Sequence, residues 1–193
     1  MIIKKNSPEL FDILKKTLQN NGTAIFPCDT IYGIMGRYPN LENKIQKIKE
    51  RGNSRPFLKL ISDTGMMKSM TSQDVDKRIL SYWPGPLTLI LKTKRKEEET
   101  IALRIPNDPF LLKLIKSLNF PLISTSVNRS GDVFLREITK IIEFYKDKVD
   151  LIVDAGDLPK KIPSTLLDIS SKPYKVLRQG ECLIPEEILK SAL

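Results

Sequence analysis

Three cations, Lys49, Arg51 and Arg55, fall within seven residues in Lys49-Glu50-Arg51-Gly52-Asn53-Ser54-Arg55-Pro56. Gly52 and Pro56 bend this stretch, so all three side chains can point into one cleft. Such a cleft attracts a triphosphate, because Arg presents a bidentate fork and Lys a point charge. Cations just past a helix end also complement the helix dipole, a purely structural use of the same residues. A second cluster is Ser124-Thr125-Ser126-Val127-Asn128-Arg129-Ser130-Gly131. Strand alternation puts Ser124, Ser126 and Asn128 on one side. Their hydroxyls and amide can bind phosphate oxygens or orient an amino acid without adding charge, although Ser, Asn and Gly are also common turn residues. In the third cluster, Pro27-Cys28-Asp29-Thr30-Ile31-Tyr32-Gly33, small and hydroxyl-bearing residues can hold a polar substrate with Tyr32 as a wall; an ordinary strand-to-turn exit has the same composition. Arg104 sits inside the apolar run Thr100-Ile101-Ala102-Leu103-Arg104-Ile105-Pro106. With Ala102 it shares the face opposite Leu103 and Ile105. A charge there needs a partner or a solvated face. A substrate carboxylate is one such partner; an edge-strand charge is the other reading. Arg178 leaves the strand Lys175-Val176-Leu177 just before Gly180.

The elements that must carry these groups alternate between helix and strand. Ser7-Pro8-Glu9 opens a helix with Leu10, Phe11, Leu14 and Leu18 on one face and Gly22 as its stop. Thr23 to Pro27 reads as a buried strand, and Asn40 is expected to cap a second helix with stripe Leu41, Ile45 and Ile48. Phe57 to Ile61 is a strand, and a helix is predicted from about Ser72 to Tyr82, broken by Trp83-Pro84-Gly85-Pro86. Leu87 to Leu91 and Thr100 to Ile105 are strands joined by the charged excursion Lys92 to Glu99, read as a solvated hairpin tip. Asp108-Pro109 starts a helix, and Pro121 to Thr125 is a strand. A helix near Glu137 to Tyr145, strands at Asp150 to Val153, Thr165 to Ile169 and Lys175 to Leu177, and a helix at Pro185 to Leu189 follow. The expected fold class is α/β or α+β, with a twisted mixed sheet flanked by helices and one domain over residues 1–193. Site clusters fall where strands end, the usual ligand position on such sheets.

Composition narrows the chemistry further. The 193 residues contain no histidine, which removes Ser-His-Asp and Cys-His nucleophile systems and any His-containing zinc site. The remaining toolkit of Lys, Arg, Ser, Thr, carboxylates and backbone suits phosphate handling. Cys28 and Cys182 have no metal-type spacing, no metal site is read from the protein's side chains, and a reducing cytoplasm is the expected compartment. The N-terminus shows no apolar run of a secretory leader, and nowhere do eighteen apolar residues run together, so no membrane association is expected. Thirty-two Lys and Arg against 23 acidic residues give a formal charge of +9, which favours anionic partners such as nucleotides or tRNA; surface lysines serving solubility give the same count.

Taken together the clusters resemble the YrdC family, the threonylcarbamoyl-AMP synthases, from about Thr23 to Gly180. The family's Pro-Thr-(Asp/Glu)-Thr-x-Tyr-Gly is met by Pro27 to Gly33, with Cys28 in place of the first Thr. Lys49-Glu50-Arg51 meets its Lys-x-Arg. Trp83 to Thr88, Ile101 to Pro106, Ser126-Val127-Asn128-Arg129-Ser130-Gly131, Ser164-Thr165 and Val176-Leu177-Arg178 meet the later motifs in family order. Gly52 stands where the family commonly has Pro, Phe134-Leu135 replaces Ser-Pro, and Ile162-Pro163 precedes Ser164 where a glutamate is frequent. The extra C-terminal domain of the longer family branch is not expected in this chain.

The resemblance implies a large basic concave cleft and ATP, L-threonine and bicarbonate as substrates, with Mg²⁺ bound through the ATP phosphates. It implies Thr30, Tyr32, Arg104, Ser124 and Ser164 around threonine, and Lys49, Arg51, Arg55, Thr100, Ser126 and Arg178 around ATP. Lys49, Arg51, Ser126 and Asn128 form the implied catalytic set. Proteins that complete threonylcarbamoyl transfer to tRNA are implied partners, and tRNA or double-stranded RNA an implied ligand. Two other readings use the same residues: a non-catalytic RNA-binding module, and a YciO-like paralogue with a different activity.

Overall fold

A computed structural model describes residues 1–50, 57–96, 99–128 and 134–190. Its centre is one ten-stranded mixed sheet. The strands are β1 (Ile2–Lys4), β2 (Ala24–Pro27), β3 (Tyr32–Arg37), β4 (Leu58–Leu60), β5 (Leu87–Lys92), β6 (Thr100–Arg104), β7 (Leu122–Ser126), β8 (Leu151–Asp154), β9 (Thr165–Asp168) and β10 (Lys175–Arg178). They lie in the order β1-β8-β2-β3-β7-β4-β6-β5-β9-β10. Helices α1 (Leu10–Gln19), α2 (Glu42–Ile48), α3 (Thr64–Met70), α4 (Lys77–Leu80), α5 (Pro109–Leu118), α6 (Ile138–Tyr145) and α7 (Glu186–Lys190) cover its faces.

Residue spacing explains which face each helix covers. Leu10, Leu14 and Leu18 recur every four residues on α1, and all three are buried. They join Leu111, Leu114, Ile115 and Leu118 of α5 over Phe26, Met35, Leu60 and Leu122 of the sheet. Phe110 locks the two helices together, edge-on to Phe11 at 5.7 Å and stacked on Phe26 at 5.3 Å. Asp108 caps α5 by accepting from the Leu111 backbone N–H, with Pro109 in the first turn. The opposite sheet face buries Ile25, Ile34, Leu89, Ile101, Leu103, Ile123 and Leu167 under α2, α4, α6 and Trp83. Arg104, Ala102, Ser124 and Thr88 therefore share the first face, because Leu103 and Leu89 point the other way.

Several expectations are corrected. Asn40 does not cap α2: its amide donates to Asn21 Oδ1, and Leu41 takes the cap position without a side-chain bond. The helix expected over Ser72 to Tyr82 shrinks to α4, capped by Asp76. Residues 71–73 are instead tied to β5, since Thr71 Oγ1 donates to the Lys92 carbonyl (2.6 Å) and the Lys92 N–H donates to Gln73 Oε1 (3.0 Å). The excursion after β5 is not purely solvated, because the Lys94 N–H donates to the Met70 carbonyl at the end of α3. Strands β1 and β3 and helix α3 were not expected. Among the described residues no helix is long and apolar enough to cross a membrane.

Candidate functional site

The turn between β2 and β3 folds across the sheet and meets Arg104. Arg104 is 3% exposed. Its Nε donates to the Gly85 carbonyl (2.9 Å), Nη1 to Thr30 Oγ1 (3.3 Å) and Nη2 to Asp29 Oδ2 (2.6 Å). One partner for its charge is therefore Asp29 of the same chain. Asp29 is held in place by the Asn107 N–H, which donates to Oδ2 at 3.0 Å. Asp29 and Thr30, with Cys28, Asn107, Asp108 and Lys161, line a cleft of about 480 Å³.

Beside Arg104, Arg178 approaches from β10. Its Nε and Nη2 donate to the Ser164 carbonyl (3.1 and 3.0 Å), and Nη2 also reaches Ser164 Oγ (3.3 Å). Ser164 Oγ lies 2.8 Å from Thr88 Oγ1. Desolvation and then the positive charge of Arg104 lower the Arg178 pKa, so the two guanidinium groups sense one another. Gly180 makes the approach of β10 feasible: a β-carbon there would stand 2.2 Å from the Pro163 carbonyl oxygen.

A second group sits at the other flank of the same turn. Ser126 at the end of β7 pairs with Gly33, and β3 begins at Tyr32. The Lys49 ammonium, 4% exposed, donates to the Ser126 carbonyl (2.7 Å), the Asn128 carbonyl (2.6 Å) and Asn128 Oδ1 (2.5 Å). Ser126 Oγ donates to the same Oδ1 at 2.7 Å. A buried ammonium with three acceptors around it is fully compensated. The Ser124 hydroxyl lies beside the Cys28 thiol that precedes Asp29.

Of the residues singled out in the sequence, Thr30, Arg104, Ser164 and Arg178 are brought into one group, and Lys49, Ser126 and Asn128 into another. Thr100 opens β6 opposite Lys92, on the Arg104 face. Tyr32 is turned into the core; its hydroxyl donates to the Gly156 carbonyl (2.8 Å) and accepts from the Ala155 N–H (3.0 Å), which anchors the turn from behind. Arg51 and Arg55 lie outside the described residues. Sequence reasoning missed Asp29, Thr88 and the Gly85 carbonyl. Asp29 was legible in principle, being the carboxylate in the turn cluster nearest in kind to a buried arginine's needs. A backbone carbonyl has no side-chain signature.

A mixed α/β sheet thus carries these cations and hydroxyls at its strand ends, the usual ligand position on such sheets. The chain matches the Sua5/YciO/YrdC family, described as "Telomere recombination", over residues 16–180, and it belongs to that family. A putative threonylcarbamoyl-AMP synthase of Methanocaldococcus jannaschii is 30% identical over 182 residues, covering 89% of this chain and 86% of the relative. The threonylcarbamoyl-AMP synthase of Bacillus subtilis is 28% identical over 84% of this chain, which spans only 51% of that relative's length. Among solved structures, Sua5 of Pyrococcus abyssi complexed with L-threonine superposes with a TM-score of 0.86 at 23% identity, over all of this chain and 61% of that one. Escherichia coli YciO superposes with a TM-score of 0.80, also at 23% identity, over 93% of each chain. These two likenesses show a shared fold.

Proposed function

We propose that this chain is an L-threonylcarbamoyladenylate synthase, an enzyme that makes threonylcarbamoyl-AMP and pyrophosphate for N6-threonylcarbamoyladenosine modification of tRNA. One observation carries the reading. In a chain of this family, the β2–β3 turn is bordered on one flank by Arg104 with Thr30 and on the other by the Lys49–Ser126–Asn128 knot.

The chemistry follows from what each group can do. The threonine amine adds to bicarbonate carbon and water leaves, giving a carbamate. A carbamate oxygen then attacks the α-phosphorus of ATP, and the bond to the β-phosphate breaks with its electrons on pyrophosphate. No side chain forms a covalent bond, which suits a chain without histidine. Among the described residues, Arg104 has three of its five N–H groups engaged, and the other two suit a threonine carboxylate. Thr30 and Ser164 offer hydroxyls to threonine beside it, and Ser124 extends that row. Arg178, Ser126 and Thr100, with Arg51 and Arg55, would contact the nucleotide and stabilise charge developing on its phosphates. Lys49 holds the Ser126–Asn128 exit in position.

Among the described residues no three His, Cys, Asp or Glu gather into a metal cluster, and Asp29 is committed to Arg104. Mg²⁺ would come to the site on ATP oxygens, which match its preference for phosphate and water ligands. Bound in that way, the ion would neutralise phosphate charge. Proteins completing transfer to tRNA, and a cytoplasmic setting, belong to the same proposal. Purified protein given ATP, threonine, bicarbonate and Mg²⁺ should release pyrophosphate only when threonine is present. Folded protein that releases none would reject the synthase reading and leave the RNA-binding module or a YciO-like activity in its place.

A further inference from the structure

Lys59 stands in the middle of β4 and is 0% exposed. Its neighbours across the sheet are Leu103 and Ile123, and it faces the core beneath α2. Its Nζ lies 3.2 Å from Glu42 Oε1 at the first residue of α2 and 4.6 Å from the centre of the Tyr38 ring. A methionine would fill such a position without the cost of desolvating an ammonium, and buried ion pairs often contribute nothing net to stability. Stability therefore does not explain why a lysine stands there.

Placement does. Helix α2 has only seven residues and rests on buried Ile45, with Leu41 at its N-cap and partly buried Ile48 beside it. It lies hard against β3, where a β-carbon on Gly36 would meet Leu41 Cδ1 at 2.8 Å and Ile45 Cδ1 at 3.0 Å. Apolar contacts are non-directional, so they set the depth of so short a helix more firmly than its tilt. Polar tethers remove that freedom: Glu42 to Lys59 at its first residue, Lys44 to Asp150, and Lys49 to the Ser126–Asn128 exit at its C-cap. A helix of this length spans only about 10 Å, so a tilt at Glu42 is felt at Lys49.

We propose that Lys59, through its ion pair with Glu42, is a positioning residue for nucleotide binding: it fixes α2 so that Lys49 holds the Ser126–Asn128 exit in register. The inference rests on the reading of this site as an ATP site. Its test compares the whole wild-type chain with Lys59→Met, Glu42→Gln and Lys59→Arg. Three quantities are read: KM for ATP and for threonine in pyrophosphate release, melting temperature, and the Asn128 side-chain amide signals in a nitrogen-correlated NMR spectrum. Lys59→Met should melt no lower than wild type yet raise KM for ATP by about 3- to 10-fold, the size expected of coupling through a packed element. KM for threonine should stay within about twofold. Glu42→Gln should raise KM for ATP likewise but melt lower, because it takes the counter-charge from a buried ammonium; Lys59→Arg should recover part of the loss, and the Asn128 signals should move in both Lys59→Met and Glu42→Gln. Unmoved Asn128 signals, or a KM for ATP that changes only in proportion to lost stability, would overturn the proposal. If wild type makes no pyrophosphate, the activity reading fails by itself, and the Asn128 signals alone then decide whether Lys59 positions α2.

Discussion

Cys28 lies between the Phe26 carbonyl, the Ser124 hydroxyl and the Asp29 carboxylate at the lip of the cleft. Burial disfavours its thiolate, the Asp29 charge adds to that, and Arg104 opposes them only in part, so the thiol is pushed up to about 12. The thiolate is the reactive form. In the native chain at pH 8 the Cys28 thiol therefore stays protonated. Iodoacetamide should therefore leave Cys28 unmodified in native protein and label it readily once denaturant restores the ordinary value of 9.0. Peptide mass spectrometry reads the result, and full native labelling of Cys28 would show that its surroundings are not as described.

Elements are held to the sheet by a few polar ties as well as by apolar stripes. Asp150, just before β8, accepts from the Thr23 N–H (2.7 Å) and Thr23 Oγ1 (2.8 Å), and Lys44 of α2 donates to it at 2.8 Å. Burial works against its ionised form, but Lys44 and Thr23 outweigh that and hold the carboxyl down at about 2. A depressed acid stabilises the fold fully above its unfolded value of 3.8, and the contribution is lost as pH falls through about 2. Asp150→Ala should cost about 1 kcal/mol, the value of a lost capping-type bond, or roughly 2–4 °C in a chain of this size. The gap between variant and wild type, followed by thermal melting, should stay constant near neutrality and narrow as pH falls from 3.8 toward about 2. A gap independent of pH would show that the carboxylate's charge is not involved. Legibility at this scale depended on whether a signal was local. Asp108-Pro109 and the four-residue leucine spacing announced α5 and α1 outright. Strand β3, Tyr32-Gly33-Ile34-Met35-Gly36-Arg37, is almost wholly buried, so it has no polar alternation, and its glycines read as turn. Asn40 looked like a cap because its type is right, yet its amide bonds Asn21, nineteen residues earlier, which no local pattern reveals.

On the scale of the molecule, the candidate site belongs to no single element. Arg104 comes from β6, Thr30 from the β2–β3 turn, Ser164 from the approach to β9 and Arg178 from β10. The sequence motifs named these residues, but the Arg104–Asp29 pairing and the Lys49 knot depend on a sheet order that interleaves early and late strands. A ligand that touches several such elements ties them together, so binding must raise the melting temperature of the whole fold. At a free concentration one hundred times its dissociation constant, a ligand adds about 2.7 kcal/mol, or roughly 5–11 °C at about 2–4 °C per kcal/mol. ATP and threonine should each produce such a rise in the wild-type chain. Thr30→Val removes a hydroxyl whose bond to Arg104 is long, 3.3 Å, so the unliganded melting temperature should barely change. If Thr30 and Arg104 receive threonine, this variant should lose most of the threonine-induced rise at the same concentration and keep the rise due to ATP. Equal losses for both ligands would mean that Thr30 does not distinguish threonine from ATP. An undiminished threonine response would place the amino acid elsewhere.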